Sequence, residues 1–145
     1  MSTKDTTALT GQTGYTIIGT SLTWTSASTE TSLKSGQAPG DLVFTLGITT
    51  ALANTDTLDI TASQAIWIGS EADTTCTATI GGTTTNAFST AATSTSILRV
   101  TATGAIATGT FVLTCTSNIA VNGDTGAVTF DIVSTKDTIA LTGQT

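Results

Sequence analysis

Apolar and hydroxyl-bearing residues alternate along most of this chain with a period of two, which suits strands with one buried face and does not suit helices. Across residues 41–49, Leu42, Phe44, Leu46 and Ile48 share one face, with Val43, Thr45 and Thr49 on the other. Phe111, Leu113 and Cys115 alternate with Val112, Thr114 and Thr116, and Cys76, Ala78 and Ile80 with Thr75, Thr77 and Thr79. Val128, Phe130 and Ile132 alternate with Thr129 and Asp131. Shorter candidates lie at 15–24, 57–62, 64–68 and 97–102. Threonine fills 39 of the 145 positions. Its branched Cβ is stiff in a helix and comfortable in an extended chain, so composition and period agree. Turn residues separate the runs at Pro39-Gly40, Asn54-Thr55-Asp56, Gly81-Gly82, Gly104, Gly109 and Asn122-Gly123-Asp124. The Asn-Gly step, lying between two alternating runs, predicts a hairpin. The prediction is an all-β fold: an antiparallel β-sandwich, immunoglobulin-like, with about seven or eight strands.

The two ends of the chain repeat each other. Residues 2–13 read STKDTTALTGQT and residues 134–145 read STKDTIALTGQT, so Thr7 against Ile139 is the single difference. Eleven identities at an offset of 132 residues, from Ser2 to Ser134, point to a long tandem repeat. On that reading residues 1–13 end a preceding repeat or form a junction strand. Residues 14–133 are the sandwich domain, and 134–145 open the next copy. Met1 stands where Val133 falls in the repeat register, as an added start residue would. The Lys4-Asp5 and Lys136-Asp137 steps then mark the junction, where a solvated ion pair is expected. A duplicated segment of this kind also suits a strand shared with, or donated to, a neighbouring copy.

Charge and composition exclude several classes of function. Four basic residues against ten acidic ones leave a net charge of −6, so no basic patch exists to neutralise phosphates or an anionic membrane surface. No apolar run is long enough to span a bilayer as a helix, and the polar opening Met1-Ser2-Thr3-Lys4 is not a signal peptide. Histidine is absent, which removes Ser-His-Asp and Cys-His machinery and imidazole-bound metals. The nearest carboxylate pairs, Asp56 with Asp59 and Glu71 with Asp73, sit beside turns, where aspartate serves local hydrogen bonding. No enzyme activity is expected.

Cys76 and Cys115 each fall on the apolar face of a predicted strand and are expected to form a disulfide, which points to an oxidising compartment. Calcium is the one ion considered, because junctions between extracellular sandwiches are places where ions stiffen arrays. The candidate ligands are Asp5, Asp41, Asp124 and Asp137, although no D-x-D-x-D-G run is present. A self-formed isopeptide bond would need Lys4, Lys34 or Lys136 buried beside an Asn, and the polar surroundings of Lys4 and Lys136 favour solvated lysines. Trp24 and Trp67 are candidate carbohydrate platforms. Ile66 and Ile68 flank Trp67 on what would be the opposite face of a strand, which leaves room for an exposed ring, against the ordinary expectation of core packing. Thr-x-Thr steps such as Thr75/Thr77/Thr79 and Thr114/Thr116 make hydroxyl rows along strands. Regular rows of that kind bind ice in some solenoids. The spacing here is irregular, and threonine as a soluble strand former is the better account.

The stretch Asp41-Leu42-Val43-Phe44-Thr45-Leu46, then residues 51–60 (ALANTDTLDI) and the closing Gly126-Ala127-Val128-Thr129-Phe130-Asp131-Ile132, resemble repeat modules of very large surface proteins of algae, protists and bacterial adhesins. The resemblance covers about half of the chain and transfers no catalytic or binding residue. It implies a sandwich in an extended extracellular or cell-surface protein, whose partners are neighbouring copies of itself, with glycans or surfaces as further partners. The expected function is structural or adhesive; the alternative is a glycan- or ice-binding module.

Overall fold

A computed structural model describes residues 22–29, 40–69, 74–120, 127–137 and 139–145, and all regular structure among them is β. The strands are β1 (Thr23–Thr29), β2 (Leu42–Ile48), β3 (Thr57–Ala62), β4 (Cys76–Ile80), β5 (Thr83–Thr85), β6 (Phe88–Ala92), β7 (Ile97–Ala102), β8 (Gly109–Cys115), β9 (Phe130–Ser134) and β10 (Leu141–Gln144). They form two five-stranded sheets, ordered β1-β2-β8-β4-β5 and β10-β9-β3-β7-β6. Every pairing is antiparallel.

The period-two runs become the sandwich interior. Phe44, Leu46, Phe111 and Leu113 of the first sheet, and Leu58, Ile60, Leu98, Val100 and Ile132 of the second, are fully buried. Their threonine neighbours along each strand face outward. In β1 the apolar positions are Trp24 and Ala27, three apart, and the register slips between Trp24 and Ser26. This bulge turns both side chains inward, against Leu46 and Phe44 respectively, where an unbroken strand would have sent one of them out. At the β4–β5 hairpin, Gly81 and Gly82 both have positive φ, the conformation that a two-residue turn of matching twist requires.

The strand count exceeds the predicted seven or eight. The strands added to the predicted set are β5, β6 and β10, together with most of β1, which shares only Thr23 and Trp24 with the candidate at 15–24; their Thr-, Ser- and Gly-rich sequences carry little apolar alternation, and all sit at the edges of the sheets. The run at 64–68 is corrected: it is not a strand, and Trp67 alone forms a bridge, to Ile119. The candidate at 15–24 and the Asn122-Gly123 hairpin lie largely or wholly outside the described residues.

Cys76 and Cys115 are disulfide-bonded. They are directly opposed on β4 and β8, neighbours in one sheet, unlike the bridge of antibody domains, which joins the two sheets. Cys115 is fully buried and Cys76 packs against the core. The bond ties strands separated by 39 residues of sequence. Replacing both cysteines with alanine is expected to lower the unfolding free energy by about 3–4 kcal/mol, on the chain-entropy estimate for a loop of this length. Guanidinium denaturation of the oxidised, reduced and substituted proteins measures it, and coincident transitions would show that the bond adds nothing to stability.

Candidate functional site

The second copy of the repeated segment is built into the edge of the sandwich. Its first four residues, Ser134 to Asp137, dock onto the loop that leaves β2 and enters β3. Thr135 N–H donates to Thr57 O at 3.0 Å, and Thr57 N–H donates to Thr135 Oγ1 at 3.1 Å. The Thr135 hydroxyl donates in turn to Asp56 Oδ1 at 3.2 Å. Lys136 Nζ lies 3.4 Å from Asp56 Oδ2. The Thr49 hydroxyl donates to Asp137 Oδ1 at 2.8 Å.

Asp137 is 1% exposed, and its Oδ2 makes no hydrogen bond among the described residues. The expected solvated Lys136-Asp137 pair is therefore corrected. In the bend that follows β9 the two side chains part, so Lys136 reaches Asp56 while Asp137 is buried against Thr49.

The receiving loop is shaped for this contact. Asp56 N–H donates to Ala53 O at 3.0 Å, closing a turn whose third residue, Thr55, has φ 75°. That conformation is costly for a β-branched residue. Ala102 anchors the turn from both sides, with Thr55 N–H donating to Ala102 O and Ala102 N–H to Asp56 O, both at 2.8 Å. The Ala53 N–H also donates to Asp56 Oδ2 at 2.7 Å. This bond, helped by Thr135 and Lys136 and opposed by partial desolvation, holds the Asp56 carboxyl below the usual aspartate range.

The far end of the segment forms β10 along β9, with Leu141 opposite Ile132 and Gln144 opposite Phe130. Leu141 packs on the core. Gly143 adopts φ 64° where the register shifts, and its N–H donates to Asp131 Oδ1 at 2.7 Å. Trp24 of β1 stacks on Phe130 with centroids 5.7 Å apart and donates its indole N–H to Thr145 O at 3.1 Å. Strand β10 thus covers the edge of β9 and is tied to the first edge strand of the opposite sheet. On the other flank, Asn118 Nδ2 and Ala92 N–H both donate to Thr74 Oγ1 at 3.2 Å.

The remaining candidates are dispersed or committed elsewhere. Lys4, Asp5, Lys34, Glu71, Asp73 and Asp124 lie outside the described residues. Asp41 precedes β2, whereas Asp137 is bonded to Thr49 beyond its other end. Eight residues of extended chain separate these points by roughly 26 Å, so within one chain Asp41 and Asp137 do not share an ion. No group of three or more Cys, Asp or Glu side chains fit to hold a metal occurs among the described residues. Asp59 is engaged by the Arg99 guanidinium through two bonds of 2.8 and 2.7 Å.

Trp67 is 1% exposed in the core, so it is no carbohydrate platform; Ile68, at 69%, is the exposed neighbour. The single bridge at Trp67 turns the ring inward. Trp24 is half-buried and committed to Phe130 and Thr145. The five strands of the first sheet carry no charged residue. Register places Thr77, Thr114 and Val43 in one outward row and Thr79, Val112 and Thr45 in the next.

No protein-family model, curated protein or solved structure matches this chain.

The docking contact is expected to weaken in acid. A carboxyl whose native pKa lies below its unfolded value contributes stability that is complete above about pH 4 and is lost as pH falls through the native pKa. Asp56→Asn should therefore unfold more easily than the parent protein near neutrality, and the gap should close as pH falls below about 4. Denaturation midpoints of both proteins across that range test it, and a gap independent of pH would show that the Asp56 charge is not what holds the segment.

Proposed function

We propose that this chain is a structural module of a tandem array, in which the segment that closes one sandwich is also the segment that opens the next. The observation that supports it is the place of residues 134–145. A sequence repeated at an offset of 132 residues is fastened to this sandwich by Thr135, Lys136, Asp137, Leu141 and Thr145. In an array, the chain would run from that fastened strand directly into Gly14 of the following unit. A linker that doubles as a sheet strand has few free dihedrals, so successive units are held at a set spacing.

The setting that suits this reading is extracellular or at a cell surface. The disulfide is stable there, and a surface rich in hydroxyls and poor in charge stays hydrated with few ion pairs. Among the described residues no helix is long and apolar enough to cross a membrane. The work of such a module is reach, cohesion or adhesion and not catalysis. Concatemers of one, two and three 132-residue units test the proposal by small-angle X-ray scattering. The maximum dimension is expected to grow by a constant step per unit, and a growth that flattens with each added unit would refute a rigid array.

The charge-free outer face of the first sheet favours one alternative, a surface that binds ice or a glycan through the rows containing Thr77, Thr114, Thr79 and Thr45. Thermal hysteresis of the purified protein separates the readings. The structural reading expects none, and a hysteresis abolished by Thr77→Lys would install the alternative.

A further inference from the structure

The two copies of the repeated segment differ at one position, and the structure shows what that position does. Ile139 is 47% exposed, and its counterpart Thr7 carries a smaller, more polar side chain. Among the described residues, every one whose side chain bonds to or packs on the sandwich is unchanged in the first copy. Thr135, Lys136 and Asp137, which engage Thr57, Asp56 and Thr49, correspond to Thr3, Lys4 and Asp5. Leu141, packed on the core, corresponds to Leu9. Gly143, with φ 64°, corresponds to Gly11, and Thr145, which accepts the Trp24 indole N–H, to Thr13. The one difference falls at an exposed side chain, and the side chains that bond to or pack on the sandwich among the described residues fall at identities.

We infer that residues 2–13 of one chain take the place of residues 134–145 on a second copy of the same chain, so that the module assembles head to tail by strand exchange whenever its own closing strand is displaced. The inference rests on the repeat reading proposed above and adds the partner, another copy, and the slot that receives it. With β10 displaced, β9 presents an unpaired row of backbone N–H and C=O groups, the ordinary template for strand addition. The Asp56 turn, Thr49 and the Trp24 indole remain beside it to select this sequence over others. The donating segment and the receiving slot are different surfaces of each chain, so the contact is heterologous and propagates as an open chain or a ring. In the intact protein the tethered copy competes at an effective concentration of roughly millimolar, which keeps each chain closed on itself in dilute solution.

The test uses the full chain. Leu141→Lys with Gly143→Val disables the closing strand and leaves residues 2–13 intact. Its mass by light scattering is expected to rise with concentration from that of one chain to that of two and more. Adding Leu9→Lys and Gly11→Val should return it to a single chain. That fourfold variant, with both of its own copies disabled, should bind the free dodecapeptide STKDTTALTGQT, with a shift of the Trp24 indole N–H resonance and a rise in Tm. The same peptide carrying the Lys and Val substitutions should do neither. If the fourfold variant unfolds, its refolding by the first peptide alone supports the inference equally.

A twofold variant that stays monomeric, oligomers that persist in the fourfold variant, or no response to the peptide would each overturn it. None of those results changes the spacing of covalent concatemers, so this inference and the array reading fail separately.

Discussion

Two sheets with no helix among the described residues to cover them must bury one face each and also dispose of their edges, because an unpaired strand is a template for unwanted pairing. The first requirement is met by residues of one parity along each strand. Phe44 and Phe111 from one sheet and Leu58, Ile60 and Leu98 from the other are fully buried between them. The second requirement shapes the rest of the molecule. Edge strands β5 and β6 are short and rich in Ser and Thr. The edge of β9 is covered by β10, which itself ends on the carbonyl that accepts the Trp24 indole.

The covering strand ties local strain to the proposed assembly. Thr55 is held at φ 75° because Ala53 and Ala102 hydrogen-bond the turn around it, and the turn presents the Asp56 carboxylate to Thr135 and Lys136. Asp137 is buried beyond it with only the Thr49 hydroxyl as partner among the described residues, which is a demanding way to end a domain unless the position matters. These polar contacts specify which segment lies on the edge, while Leu141 and the β9 ladder supply the pairing. Both kinds of group recur at the head of the chain.

Much of the sandwich was legible from the residues. The inward sets of β2, β3, β7 and β8 follow directly from period two, since a strand with one buried face writes its orientation into its sequence. The disulfide follows from two cysteines on predicted apolar faces. Strands β5 and β10 were not legible. Thr83-Thr84-Thr85 and Leu141-Thr142-Gly143-Gln144 owe their conformation to a neighbouring strand and not to their own burial pattern. Trp67 reads as an alternating strand with Ile66 and Ile68, yet it belongs to a single bridge that points its ring into the core. The separation of two candidate ion ligands was hidden for a related reason. Asp41 and Asp137 look alike as isolated turn residues, and only the direction of β2 separates them.

By itself the sequence determined the class of fold, the inward residues of β2, β3, β7 and β8 and the existence of a repeated segment, because each is written in periodicity or identity along the chain. Where the repeated segment sits was decided only in three dimensions. Its residues carry weak local preference, and their positions depend on Asp56, Thr49 and Trp24, which are separated from them by 79, 88 and 121 residues of sequence. Contacts over such separations form only once β9 has paired with β3 and the two sheets have come together, which is why the same twelve residues read as a bare junction in sequence and as the closing strand of a domain in the structure.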